Sequence, residues 1–145
     1  QESRGLGDVY KRQVVDGDTV DVDIDLGFGM SYKKQRVRLM GIDTPESRTR
    51  DLVEKLFGKA SKKHLKELLS EGNITLRSHD KGKFGRILGE LFVNDISINQ
   101  KMIDDHHAVD YGGGNKAEIE EQHLKHRVIL VEQGVVTQEQ IDEVS

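Results

Sequence analysis

The chain has 145 residues, 26 of them acidic and 22 basic, and a formal net charge of −4 at pH 7. This length fits a single domain with a modest hydrophobic core, and the absence of cysteine excludes disulfides and Cys-ligated zinc or iron–sulfur sites. No apolar run approaches the roughly 18 residues that a membrane span requires. We therefore expect a soluble protein without a membrane partner, and a monomer. Its negative net charge does not favour binding to nucleic acid.

The N-terminal stretch QESRGLGDVYKRQ lacks an initiating methionine and the apolar core of a signal peptide. We expect residues 1–8 to be a disordered or non-native leader, and residues 9–145 to form one domain. Because a signal could precede this stretch, the sequence leaves the localisation open.

The segment TVDVDIDLG (19–27) is predicted to be a half-buried strand, because apolar residues alternate strictly with aspartates. Asp18 has the parity of the apolar face, so we expect it to point toward the core or the mouth of a barrel. A second strand is predicted for 34–41, with LGFGMSYK between the two strands as a loop that contains two glycines.

A helix is predicted for 51–69, where Leu and Ala residues recur at helical spacing until the break at Gly72-Asn73. We expect its buried stripe to contain Leu52, Leu56, Ala60, Leu65, Leu68 and Leu69.

The rest of the chain is predicted to add two strands, at 74–78 and 86–93, joined by the polar turn HDKGKFG. Ser97 is expected to cap a short helix that ends near Met102. After the glycines at 112–114, a last helix is expected to start at Asn115 and to end near Gln133, before Gly134.

Three patterns invite a functional interpretation but are explained more simply. The acidic DVDIDLG segment is not an EF-hand loop, because the twelfth position, where a carboxylate is needed, is Tyr32. The pairs His106-His107 and His123-x-x-His126 lack an HExxH motif or a cysteine partner, so we expect solvated residues and not metal ligands. The lysines of GKASKKHLK are expected to form a solvated helix face and not a phosphate patch.

Carboxylates at two strand ends suggest a metal site. Asp18 lies at the entry to one strand, Asp43 follows another, and Pro45 stiffens the turn that carries Glu46. Carboxylate and carbonyl oxygens suit Ca²⁺ or Mg²⁺ and not zinc.

Two arginines accompany these carboxylates. Arg38 precedes Asp43 on the same strand, and Arg86 begins another strand. Guanidinium groups beside a divalent ion can bind phosphate oxygens and neutralise charge in an in-line displacement at phosphorus, and Glu46 could hold or deprotonate the attacking water. The alternative is a set of surface ion pairs, such as Arg38 with Glu46, and the residue chemistry alone favours neither.

The fragments DGDTV, RLMGIDTPE and KFGR, in this order and followed by a helical tail, resemble the thermonuclease (staphylococcal nuclease-like) family over 14–133. The resemblance implies an α+β fold with a mainly β core, namely a five-stranded OB-fold barrel with about three helices. The strands predicted above are compatible with this architecture.

The resemblance also implies roles for the residues at the metal site. Asp18 and Asp43 match the calcium-binding aspartates of the family, and Thr44 matches the residue that offers its backbone carbonyl. Glu46 matches the glutamate that is usually assigned as the general base.

Substrate contacts are implied in the same way. Arg38 and Arg86 match the arginines that contact the scissile phosphate. Lys83 and Phe84 match residues near the phosphate and sugar of a bound nucleotide, where Phe84 replaces the more common tyrosine. Tyr111 lies near the position where the family stacks tyrosines on a nucleotide.

The implied function is a calcium-dependent phosphodiesterase, an endonuclease that hydrolyses DNA and possibly RNA, prefers single strands and leaves 3′-phosphate ends. The main alternative is a non-catalytic OB-fold module that binds single-stranded nucleic acid or a protein peptide. A calcium-responsive structural domain is a third interpretation, which thermal stability with and without Ca²⁺ and a nucleotide would separate.

Overall fold

The computed structural model of the chain describes residues 6–81, 86–112 and 115–145. Within these ranges a β core carries short strands and four helices. In chain order the elements are β1 (Leu6–Asp16), β2 (Thr19–Gly27), β3 (Met30–Leu39), β4 (Ile42–Asp43), α1 (Leu52–Leu69), β5 (Ile74–Lys81), β6 (Ile87–Val93), β7 (Ile96–Ser97), α2 (Ile98–Asp104), β8 (Val109–Asp110), α3 (Lys116–Glu132) and α4 (Gln138–Val144).

Five strands form a closed barrel. They follow the order β3-β2-β1-β5-β6, and β3 pairs with β6 in parallel to close the sheet on itself. The inward-facing side chains Val20, Val22, Val37, Leu39 and Leu91 are fully buried. This architecture confirms the predicted five-stranded OB-fold barrel and its α+β class.

The hairpin between β2 and β3 corrects the predicted loop. Most of LGFGMSYK is strand, since β2 and β3 pair out to Gly27 and Met30. The two central residues of the turn, Phe28 and Gly29, have φ of 54° and 77°, as a two-residue type I′ turn requires. The loop prediction was wrong because this end of the hairpin is exposed on both faces, so no buried face marks it as strand.

The strand β1 was not recognised from the residue pattern, because two bulges interrupt it. Its register with β2 shifts between Lys11 and Gln13 and again between Val14 and Asp16. A bulge adds a residue to one strand and breaks the alternation of side chains, and Val14 and Val15 are accordingly both buried. The strand begins at Leu6, and residues 1–5 lie outside the described residues.

The helices begin where their capping residues predict. Asp51, Ser97 and Asn115 each accept hydrogen bonds from the first turn of α1, α2 and α3. The buried face of α1 differs in part from the prediction, since Phe57 is buried whereas Leu52 is 48% exposed. No helix in the described ranges is long and apolar enough to cross a membrane.

The C-terminal helix α4 was not predicted from the sequence. Thr137 and Gln140 close its first turn as a capping box. Together with α3 it covers α1 through a second apolar cluster around Phe57, Leu130 and Val136. This cluster fixes α3 against the side of α1, which matters for the site described next.

Candidate active site

The turn between β1 and β2 delivers Asp18 into a buried position, 9% exposed, as its parity with the apolar face predicted. Its backbone carbonyl accepts a hydrogen bond from the amide of Leu39 at 2.8 Å. The Oδ1 atom of Asp18 accepts from the Thr19 hydroxyl at 3.0 Å, and Oδ2 lies 3.4 Å from the Thr44 amide. The carboxylate is therefore held from two sides and retains one loosely engaged oxygen.

The short strand β4 places Asp43 beside Asp18. It pairs with β8, so that Asp43 lies opposite Val109, and the turn that follows carries the buried Thr44. Asp43 itself is half-buried, with 32% of its side chain exposed. The strand pairing thus fixes one of the two predicted aspartates against the β8 segment of the chain.

The guanidinium of Arg38 faces both aspartates. Its Nη2 atom is 3.5 Å from Asp18 Oδ2 and 4.0 Å from Asp43 Oδ1, and its Nη1 atom donates to the Leu39 carbonyl at 2.8 Å. Only 18% of the Arg38 side chain is exposed. Arg38 therefore pairs with the two aspartates within the described residues, and the surface pair with Glu46 that was considered as the alternative does not form.

Glu46 lies at the edge of the same group of carboxylates. Its backbone amide donates to Glu54 Oε2 at 2.9 Å, and its side chain is exposed over part of its surface. Partial burial raises the pKa of Glu46 above its usual value, and the charges of Asp16, Asp18, Glu54 and Asp43 raise it further. A carboxylate with a raised pKa is a stronger base once it is ionised.

A close helix approach sets the position of this turn. A Cβ atom added at Gly58 of α1 would lie 2.2 Å from the Glu46 carbonyl oxygen, so only glycine permits the contact. The hydroxyl and amide of Ser47 both donate to Asp16 Oδ1. Sequence reasoning did not single out Gly58, although a glycine inside a helical pattern is the signal for such a contact.

His123 of α3 joins the site from a distant part of the chain. Its Nε2 atom lies 2.7 Å from Asp43 Oδ2, and 16% of its side chain is exposed. The prediction that His123 is a solvated helix residue was therefore wrong. With Ile119 and Leu130, which are buried, it occupies the inner face of α3 at helical spacing, a pattern that the sequence contains.

The other three histidines of these two pairs are also at least partly buried, which corrects the same prediction. His107 is 5% exposed and stacks on His64 with ring centroids 4.3 Å apart. His106 meets His126 edge to face at 5.2 Å. Burial lowers the pKa of His107 to about 4 and also lowers that of His126. We call His64, His106, His107 and His126 the histidine cluster.

The remaining predicted site residues are placed to different degrees. Arg86 directly precedes β6, whose Ile87 and Leu88 pair with the β3 residues that include Arg38. Tyr111 is 54% exposed and donates its amide to the Gly41 carbonyl at 2.9 Å. Lys83 and Phe84 lie outside the described residues.

A cavity of about 760 Å³ lies between the turn at Asp43 and α3. Tyr111 borders it together with Thr44, Glu46 and His123. The cavity therefore leaves space beside Tyr111, on the side where the carboxylates lie, for the predicted contact with a nucleotide.

Lysines form a partly to fully exposed stripe along α1 that begins beside the site. Lys55 follows Glu54 directly, and the stripe continues through positions at helical spacing that lie on one side of the helix. None of these lysines forms an ion pair with another described residue. The lysine stripe consists of Lys55, Lys59, Lys62, Lys63 and Lys66.

The donor set at Asp18 and Asp43 fits a hard cation with few protein ligands. Each carboxylate has one oxygen in a contact of 3.0 Å or less, and the other oxygen, Asp18 Oδ2 or Asp43 Oδ1, faces Arg38 at 3.5 Å or more. Partial burial, and after it the charges of Asp16, Asp18, Glu54 and Asp43, raise the pKa of Glu46, so several carboxylates lie close together here. No group of three or more His, Asp or Glu side chains in the described ranges is arranged to hold a metal, so water would complete the coordination.

Comparison with known proteins agrees with this geometry. The family described as staphylococcal nuclease homologue matches residues 36–140. The chain belongs to this family. The match includes Arg38, Asp43, Thr44, Glu46 and the inner face of α3, whereas Asp18 precedes it.

Individual relatives share about a third of the aligned residues. The chain is 38% identical over 93 residues to an uncharacterized protein of Bacillus anthracis, covering 61% of the chain and 40% of that protein. It is 34% identical over 101 residues to a thermonuclease of Staphylococcus intermedius, covering 68% and 56%. With an uncharacterized endonuclease of Escherichia coli the identity is 32% over 99 residues, covering 66% and 57%. The chain thus spans about half the length of these relatives.

Proposed function

We propose that the protein is a calcium-dependent nuclease that hydrolyses phosphodiester bonds in DNA and possibly RNA. The observation that carries this proposal is the position of Arg38, whose guanidinium faces both Asp18 and Asp43 beside a glutamate of raised pKa. A cation, an arginine fork and a base are the groups that an in-line displacement at phosphorus needs. The names of relatives, thermonuclease and endonuclease, support the same class of reaction.

The metal would be held by Asp18, Asp43 and the Thr44 carbonyl, with water in the remaining positions. When bound, Ca²⁺ would polarise a phosphoryl oxygen and offset the charge of the carboxylates. Asp18 contributes from the β1–β2 turn and Asp43 from β4, so the barrel itself fixes their separation. The Thr19 hydroxyl donates to Asp18 Oδ1 at 3.0 Å, whereas Oδ2 has only longer contacts, to the Thr44 amide at 3.4 Å and to Arg38 at 3.5 Å, so Oδ2 is the oxygen available to the ion.

Glu46 acts as the general base. It takes a proton from a water molecule whose oxygen forms the new bond to phosphorus, while the bond from phosphorus to the 5′-oxygen breaks. The pKa of Glu46 is raised toward neutral pH, and a general base is most efficient when its pKa lies near the working pH. The products are a 3′-phosphate end and a 5′-hydroxyl end, whose oxygen takes up a proton from water.

Arg38 and Arg86 stabilise the charge that develops on the equatorial phosphate oxygens. Arg38 is already oriented by the Leu39 carbonyl and by the two aspartates. Its guanidinium is therefore preorganised, and little reorganisation is required when the phosphate enters. Arg86 reaches the phosphate from the neighbouring strand end, according to the family resemblance.

The substrate is a single strand or another flexible segment, since the phosphate must enter beside partly buried groups. Tyr111 stacks on a nucleotide at the cavity, and Lys83 and Phe84 contact its phosphate and sugar. The lysine stripe offers local positive charge on a chain whose net charge is −4. One chain supplies Asp18, Asp43 and Glu46, so a monomer is sufficient for the proposed chemistry.

Cleavage of a fluorescent single-stranded DNA oligonucleotide tests the proposal. We expect cutting with Ca²⁺, none with EDTA, and a loss of about 10²- to 10⁴-fold in Glu46→Ser, the range for a lost general base. Glu71→Ser, a substitution at an exposed glutamate beyond the end of α1, is the matched control and should retain full activity. Binding of the oligonucleotide without cleavage under every metal would contradict the nuclease and support the non-catalytic binding module.

A further inference from the structure

We infer that His123 is a positioning residue for Asp43, which it holds in the orientation that the divalent cation requires. The inference rests on the proposed function, because it assigns a role toward the metal of that site. His123 comes from α3, 80 residues along the chain from Asp43. It was not among the predicted site residues. This role follows from which oxygen of Asp43 each neighbour occupies.

The two oxygens of Asp43 are in different environments. His123 Nε2 donates to Oδ2 at 2.7 Å, the length of a strong hydrogen bond to a carboxylate. Oδ1 lies 4.0 Å from Arg38 Nη2, which is too far for a hydrogen bond. His123 therefore fixes the rotation of the carboxylate and leaves Oδ1 directed toward the side where Asp18 Oδ2 also faces Arg38.

The position of His123 does not depend on its own contact alone. The inner face of α3 carries Ile119 and Leu130, both buried, one turn before and two turns after it. Leu130 packs in the apolar cluster with Phe57 and Val136. Because these contacts hold α3 in place without Asp43, the His123 imidazole can restrain the Asp43 carboxylate.

Restraint of a ligand carboxylate by a second residue is a general feature of metal sites, and its loss typically weakens metal affinity about 10- to 100-fold. This restraint matters most where few side chains bind the ion, as with two aspartates and one carbonyl. His123 also occupies Oδ2 so that bidentate coordination by Asp43 is disfavoured. The residue acts through Asp43 and takes no part in the bond changes at phosphorus.

The test measures Ca²⁺ affinity directly, by calorimetric titration of the metal alone into the full chain. We expect His123→Leu to weaken binding about 10- to 100-fold, and His123→Gln, whose amide nitrogen can donate from a similar position, to regain most of the affinity. His79→Leu removes an exposed histidine on β5 and serves as the matched control, with no change. In His123→Leu, cleavage should recover at saturating Ca²⁺, which a distorted fold would not allow.

The outcomes separate this inference from the proposed function. Unchanged or increased affinity in both His123 variants, with normal binding by the wild type, overturns the role of His123 and leaves the nuclease intact. A wild type that cleaves DNA without binding Ca²⁺ overturns the inference and the metal assignment together. If His123→Leu does not fold, His123→Gln and a titration of the Asp43 carboxyl resonance with Ca²⁺ decide the question, because a wild-type resonance that Ca²⁺ leaves unmoved contradicts the inference.

Discussion

Neighbouring turns of α3 serve two regions that treat polar side chains in opposite ways. His123 points to the open carboxylate site and binds Asp43 at 2.7 Å, whereas His126 points into the histidine cluster and meets His106. In the cluster, the Nδ1 atoms of His106, His107 and His126 have no hydrogen-bond partner among the described residues. One region keeps its charges through pairing and partial exposure. In the other, burial keeps His107 neutral, and His64 at the edge of the cluster pairs with Asp105 at 2.6 Å.

This difference separates chemistry from stability. At the site, Arg38 offsets the charges of Asp18 and Asp43, and partial burial together with the neighbouring carboxylates raises the pKa of Glu46. Such charges favour a cation and a phosphate, but they add little to packing. In the cluster, burial lowers the pKa of His107 to about 4, so its folded form is neutral at pH 7. Substitutions at the site should therefore change activity, and substitutions in the cluster should change stability.

Among the variants that test this comparison, the largest effect is expected at Arg38. Arg38→Met should lower the cleavage rate about 10²- to 10³-fold, the usual loss when a preorganised donor to the transition state is removed. Arg36→Met is a closely matched control, because Arg36 lies two residues earlier on β3 and also pairs with an aspartate, Asp21, at 2.8 Å. That pair lies on the exposed outer face, where an ion pair contributes about 0.2–1 kcal/mol at most to stability. The cleavage rate of Arg36→Met should therefore be nearly unchanged.

Single-turnover cleavage rates at saturating Ca²⁺, with the thermal midpoint of each variant, check this prediction. A comparable loss of rate in both variants would contradict it, because the loss would then follow from general damage to β3. A loss confined to Arg38→Met would confirm that Arg38, unlike Arg36, takes part in the chemistry.

A smaller effect is expected from pH, through His107. Its folded-state pKa of about 4 lies below the ordinary value of 6.5, so the unfolded chain takes up the proton first as the pH falls. The stability that this group contributes is complete above pH 6.5 and is lost as the pH falls toward 4, by up to about 3 kcal/mol. His126, whose pKa is also lowered, acts in the same direction, and the raised pKa of Glu46 acts in the opposite one.

Urea unfolding of the wild type and His107→Phe between pH 6.5 and 4 measures the contribution of His107, since Phe keeps the stacking partner of His64 without a titrating group. We expect a shallower pH dependence in the variant. An NMR titration of the His107 ring gives the second measurement. A midpoint near the ordinary histidine value would show that the ring is solvated and would remove the contrast with His123.

The comparison also shows which parts of the molecule a sequence can reveal. The predicted starts of α2 at Ser97 and of α3 at Asn115 are local signals, as is the alternation of β2. The structure confirms both helix starts and the alternation from Val20 to Asp23, whereas Leu26 near the end of β2 is exposed. Local signals fail where bulges interrupt β1 and where both faces of the β2–β3 hairpin are exposed. The helix α4 has a local signal in its capping box, which was overlooked after Gly134.

The candidate site depends on longer-range packing. Asp43 and Glu46 lie close together in sequence, and Asp18 and Arg38 were grouped with them from their positions at or near strand ends. The family resemblance added the role of the Thr44 carbonyl. His123 could not be assigned to Asp43 in this way, because the contact exists only through the docking of α3 on α1. Its spacing from Ile119 and Leu130 nevertheless marks it as inward-facing, which is the physical signal that favours a buried or paired histidine.

The smallest effect is expected at the ends of α2 and α3, which close in the same way with different residues. At α2 the amides of His106 and His107 donate to the carbonyls of Ile103 and Met102, and at α3 Gly134 and the next residue make the equivalent bonds. Both His106 and Gly134 have positive φ, 68° and 77°, as this Schellman geometry requires. Glycine adopts this conformation without strain, whereas for other residues the conformation costs about 1 kcal/mol or more.

His106→Gly should therefore raise the free energy of unfolding by about 0.5–1 kcal/mol, because relief of the backbone strain outweighs one edge contact with His126. Gly134→Ala is the reciprocal variant and should lower it by about 1 kcal/mol. Urea unfolding at pH 7 of both variants gives the measurement, and neither should alter the cleavage rate. A destabilised His106→Gly would mean that ring packing within the histidine cluster stabilises the fold by more than the strained residue costs, so the cluster would then be a source of stability despite its unpartnered nitrogens.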